Sequence, residues 1–173
     1  MAAPAIPKPY DAREDWLVSV HEAGHTVIGA VLGFEPVFVE VHLHKVGWMG
    51  PVIGCGATWF SDKGMSAAVK FELAVMCYAG CAAGAMVDHL IKGRSYRSCH
   101  KEEIQAGGGG DYPAAQSLYL DSNPLWAAMQ LRAAERRAIE MVEENWPEIE
   151  FVGRAIRTVR QTPIDMNKHW TQQ

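Results

Sequence analysis

Residues 14–33 constrain this chain more than any other segment. Trp16, Leu17, Val20, Ala23, Val27, Ile28 and Val31 go nearly all round a helix of 3.6-residue period, and a helix that is apolar on most sides belongs in a core. Asp11 and Glu14 stand at capping-box spacing, with Asp in the Ser/Thr role, so the helix is expected to open near Asp11. It should run to about Leu32 and stop at Gly33, which can adopt the left-handed turn that ends a helix. Its polar interruptions are His21, Glu22, His25 and Thr26. Burying three ionisable side chains without partners is costly, so they require an explanation.

His21-Glu22-Ala23-Gly24-His25 is an H-E-x-x-H pattern. Residues four apart lie on one helix face, so both imidazoles can reach a single ion. Glu22 adjoins the first of them and can take a proton from a water that zinc acidifies, without itself holding the metal. The competing reading is a hydrogen-bonded polar cluster inside the core. A zinc hydrolase also needs a third protein donor from elsewhere in the chain. Candidates are Asp88, His89, His100, Glu102, Glu103 and Asp111. Asp111 follows the glycines 107–110 and begins a helix, a place where aspartate also serves simply as a cap.

Other function classes recede on composition. The 173 residues carry a net charge of −4 with no basic stripe, which argues against nucleic acid as a partner. Arg132, Arg136 and Arg137 alternate with Glu135 and Glu140, as on a solvated helix face. Cys55, Cys77, Cys81 and Cys99 show no C-x-x-C pair and read as reduced thiols. The apolar run Leu73 to Val87 reads as too short, and too rich in Ala, Gly and Cys, to span a membrane. Nothing near Met1 resembles an export signal, so a cytoplasmic, soluble protein is expected. The Gly-rich run 107–110 leads into Asp111 rather than Lys-Ser/Thr, so no ATP site is expected.

Residues 1–10 read as a flexible arm, 11–161 as one domain and 162–173 as a tail. Pro36 to Lys45 alternates like a half-buried strand, with Val37, Val39, Val41 and Leu43 on one side. A second strand is expected near Ala57 to Phe60, and a third short one near 51–53. Ser66 should begin a long helix ending near Gly93, whose small residues 79–85 let another helix come close. Residues 94–110 read as irregular. Helices are then expected from Asp111, from Asn123-Pro124 to about Asn145, and from Trp146-Pro147 to about Arg160. The fold class is mainly α (α+β), five or six helices with a small β-hairpin. His42, His44 and Glu40 on one strand face read as solvated rather than as a second metal site. Trp16, Trp126, Trp146 and Trp170 read as packing anchors at helix ends.

Several stretches, in order, resemble the zinc peptidase domain of FtsH-type proteases. They are Val20 to Gly29, Gly56-Ala-Thr-Trp-Phe60, Ala79-Gly-Cys-Ala-Ala83, Gly109-Gly-Asp-Tyr-Pro-Ala-Ala115 and Ala134 to Phe151. The resemblance covers roughly residues 14–160 at low identity. It implies a helical, zincin-like fold with His21, His25 and Asp111 as zinc ligands and Glu22 as catalytic base. It departs in lacking the ATPase and membrane segments, in Cys81 where the family has arginine and in Gly84 where it has glutamate. The family's hexamer is therefore not carried over, although a homo-oligomer is compatible with the chain. The expected activity is zinc-dependent cleavage of peptide bonds in unfolded or flexible protein segments, without ATP. Substrate would add as a strand beside Thr58, Trp59 and Phe60. The alternative is a zinc-stabilised peptide-binding or adaptor module without useful proteolysis.

Overall fold

The apolar opening segment forms helix α1, Pro9–Val31, in a computed structural model that describes residues 9–45, 52–60, 66–107 and 110–159. α1 starts two residues before Asp11, so the expected arm is shorter by that much. It ends as its glycine requires: Gly33 has φ of 77°, and the Phe34 amide donates back to the Gly29 carbonyl. The rest of the arm and the tail 162–173 lie outside the described residues.

Strand β1, Pro36–Lys45, pairs antiparallel with β2, Val52–Phe60. Val39 and Val41 are buried, whereas Val37 is 46% exposed, so among the described side chains of the alternating face the first stays outside the core. β2 is one continuous strand rather than the two short pieces expected. Gly54 and Gly56 sit within the ladder, opposite Leu43 and Val41. Glycine is a poor strand former by itself, and here the pairing with β1 overrides that preference. The side chains of His42 and His44 lie outside the described residues.

Helix α2, Ala67–Lys92, starts and stops on the residues its sequence nominates. Ser66 accepts from the Val69 amide at 3.2 Å, and Gly93 closes it with φ of 63°. By length and composition this helix could cross a membrane, which the shorter run 73–87 did not reveal; in the fold, 67% of its most apolar window is buried. α2 is the axis of the molecule. Against it pack α1, α3 (Tyr96–Gly107), α4 (Asp111–Ser117) and α5 (Pro124–Glu144), while α6 (Trp146–Val159) lies along α1. The architecture is mainly α, with six helices and one hairpin among the described residues.

Helix α3 overturns the irregular reading of 94–110. Among its described side chains the inward stripe is Tyr96, Cys99, His100 and Glu103, which has helical spacing but no aliphatic residue. A search for apolar periodicity passes over such a stripe. Ser95 begins it, its Oγ accepting from the Ser98 amide at 3.3 Å. At α5, Asn123 caps the start through Leu125 and Trp126, and Asn145 closes the end onto the Met141 carbonyl. Trp16 and Trp146 pack against the core, and Trp126 meets Tyr119 edge-on at 5.6 Å. Trp170 lies outside the described residues.

The small residues at the centre of α2 work as expected. A Cβ on Gly24 of α1 would meet the Ala79 carbonyl oxygen at 2.7 Å and the Ala83 Cβ at 2.8 Å. Backbone cannot retreat as a side chain can. Gly24→Ala should therefore destabilise by about 1–3 kcal/mol, the usual cost of overpacking, and lower Tm by several degrees in thermal unfolding. An unchanged Tm would show that the two helices separate freely at this point.

Candidate metal centre

α1 presents His21 and His25 one turn apart, their ring centroids 4.8 Å from each other and their planes at 79°. Their Nε2 atoms are 3.1 Å apart. Asp111, the first residue of α4, brings its Oδ2 to 2.9 Å from His21 Nε2 and 3.2 Å from His25 Nε2. The carboxylate therefore faces the imidazoles and does not cap its own helix: the cap position is Gly110, and no side chain makes a capping bond there. A chain of 90 residues separates His21 from Asp111, and α2 closes the gap because both α1 and α4 pack on it.

The chemistry of this triangle suits a cation. His25 Nδ1 lies 2.8 Å from the Met76 carbonyl oxygen, which only accepts, so Nδ1 carries the hydrogen. The Nε2 of a neutral His25 is then a bare lone pair. It faces a carboxylate oxygen, also an acceptor, and a second imidazole. A proton or a metal ion between them removes the conflict. Burial disfavours the charged form of His25, but the Asp111 and Glu22 carboxylates and the Met76 carbonyl outweigh it and raise the pKa to about 9. Asp111 shows the complementary effect: burial opposes ionisation, and the two histidines nevertheless hold its carboxyl well below the usual range.

A metal fits the same place. Tetrahedral zinc with bonds of about 2.0–2.1 Å needs donor-to-donor edges of roughly 3.3–3.4 Å. The three edges here are 2.9, 3.1 and 3.2 Å, so a small expansion admits the ion. The Met76 carbonyl already holds His25 in the tautomer that offers Nε2, as outer partners of metal-binding histidines do. Gly80 of α2 supplies the space: a Cβ there would lie 2.3 Å from His25 Nε2 and 2.7 Å from His21 Nε2.

Glu22 is only 3% exposed, and its carboxylate lies within 4.8 Å of the ligating atoms of both histidines. Thr58 of β2 donates to its Oε2 at 2.8 Å. Thr26 donates to the Glu22 backbone carbonyl at 2.8 Å. The Thr58 hydroxyl, read from sequence as part of a substrate strand, is thus engaged with the acid beside the histidines. The side chains of Trp59 and Phe60 lie outside the described residues.

The other carboxylates and histidines once open as third donor are engaged elsewhere. Asp88 pairs with Lys92, Glu102 with Arg94 and His100 with Glu135, and His89 bonds the Arg94 carbonyl. The Glu103 carboxylate lies over Gly84, 3.4 Å from where a Cβ would stand. Sequence reading missed Gly80, the Met76 carbonyl and the Thr58–Glu22 bond. Gly80 has a weak signal, as one of two glycines in the small run 79–85, but that run reads as room for a helix rather than for two rings. Cys81 stands beside it, and its ligating atom lies within 4.8 Å of those of His21 and Asp111. Burial first, then the Asp111 charge, push the Cys77 and Cys81 thiols up to about 12.

No protein-family model matches this chain, and no curated protein matches it either.

Proposed function

We propose that the chain is a zinc-dependent endopeptidase that hydrolyses peptide bonds in unfolded or flexible protein segments and needs no ATP of its own. The observation that carries this reading is the convergence of His21 Nε2, His25 Nε2 and Asp111 Oδ2 within 3.2 Å, beside a buried carboxylate that is not one of the three. A purely structural ion would need no such neighbour. Zinc held by the three residues would supply a Lewis acid for a peptide carbonyl and bring the pKa of a water towards neutrality.

The remaining work falls to the chain. Thr58 occupies Oε2 of Glu22, which leaves Oε1 to take a proton from the attacking water and return it to the departing amine. The Glu22 carboxylate is held by the Thr58 hydroxyl of β2. β2 pairs with β1 alone among the described residues, so its second edge is the place for an extended peptide to bond by its backbone. Such recognition needs a substrate segment free of its own secondary structure, which is why unfolded protein is the proposed substrate.

The test is direct. Protein stripped with chelator and refilled should hold about one zinc ion per chain and cleave unfolded casein, and chelation should abolish cleavage. Tight zinc binding without cleavage, with a lower Tm once zinc is removed, would instead establish the adaptor reading.

A further inference from the structure

We propose that Cys81 is a fourth donor to the ion held by His21, His25 and Asp111, closing the centre in its resting form. This deepens the zinc reading and rests on it. The ligating atoms of His21, Cys81 and Asp111 lie within 4.8 Å of one another, and the other two are already members of the donor triangle. Edges between sulfur and nitrogen or oxygen around zinc are roughly 3.5 Å, so towards His21 and Asp111 the sulfur needs at most a little over an ångström of closure.

The thiol's position is not an accident of a small-residue stripe. α2 presents Gly80 beneath the two imidazoles, and the next residue carries its sulfur to the same cluster. Cys81 is 1% exposed, so solvent does not compete for it. On coordination the S–H bond breaks, its proton leaves to buffer, and sulfur donates an electron pair to the cation; no oxidant or reductant takes part. Two imidazoles, one carboxylate and one thiolate make a full tetrahedral set, whereas a working hydrolase keeps one position open. Cys81 is therefore a latch: it holds the ion tightly while closed, and its departure opens the site. A thiolate also biases the centre towards zinc, cobalt and cadmium over magnesium and manganese.

Cobalt(II) tests this without reference to activity. Stripped protein is titrated with Co²⁺ and read by absorption. The same is done for Cys81→Ala, Cys81→Ser, Cys77→Ala and His21→Ala, each checked for native helix content by circular dichroism. Wild type and Cys77→Ala should show a thiolate-to-cobalt charge-transfer band in the near ultraviolet. Both Cys81 variants should still bind one cobalt, without that band and with affinity for zinc lower by about tenfold or more in chelator competition. Wild type that binds one cobalt without the band overturns the inference while leaving the three-donor centre intact. Wild type that binds none sinks both, and a band that survives in Cys81→Ala assigns the sulfur elsewhere and overturns the inference.

Discussion

Glu22→Gln is expected to keep its zinc and lose its casein cleavage. The amide has the shape of the carboxylate it replaces, so the buried pocket stays filled. It can still bond Thr58, which now lies 2.8 Å from Oε2. What it cannot do is accept a proton from water. Losing a positioned general base slows a reaction by about 10²- to 10⁴-fold, so residual cleavage should fall at least that far. Because Glu22 is outside the donor triangle, metal content measured on the same sample should stay near one per chain. Two results would count against the proposal. Cleavage at wild-type rate would remove Glu22 from the chemistry, and parallel loss of zinc would make it a ligand or a structural support.

The second large effect concerns Gly80, with Gly84 as its counterweight. Both are interior to α2, where alanine is ordinarily better than glycine by up to about 1 kcal/mol. Space decides the sign. At Gly80 the new methyl would stand 2.3 Å from His25 Nε2 and 2.6 Å from its Cε1, so the ring must leave the donor triangle. Gly80→Ala should weaken zinc binding by about a hundredfold or more, since displacing even an outer partner of a metal ligand costs 10- to 100-fold. At Gly84 the nearest atom is the Glu103 carboxylate carbon at 3.4 Å, the end of a flexible side chain. Gly84→Ala should bind zinc as wild type does and melt slightly higher. Chelator competition for affinity and thermal unfolding for stability read both variants. Equal zinc affinity in the two would show that the imidazoles can reach an ion without the room Gly80 provides.

Most helix boundaries were legible because they are local. Ser66 and Gly93 bracket α2, Asn123 and Asn145 bracket α5, and Gly33 ends α1, each through bonds between residues a few positions apart. α3 was not legible. Its described inward side chains are a tyrosine, a cysteine, a histidine and a glutamate, which meet groups of other helices such as the Ala82 carbonyl and Glu135. The continuity of β2 was hidden for a related reason: Gly54 and Gly56 are strand residues only because β1 lies beside them.

The amino-acid sequence alone determined that two imidazoles share one helix face with a carboxylate beside them, because a 3.6-residue period is a property of the backbone. Tertiary structure decided everything that meets those groups. It brought up the Asp111 oxygen, the Met76 carbonyl, the Thr58 hydroxyl and the space over Gly80, from segments 36 to 90 residues away along the chain wherever a hydrogen bond joins them to the motif. Spacing in sequence cannot encode such meetings. They depend on how α2 and β2 settle on α1 and α4 on α2, and that is governed by the burial of the whole apolar surface rather than by any local run of residues.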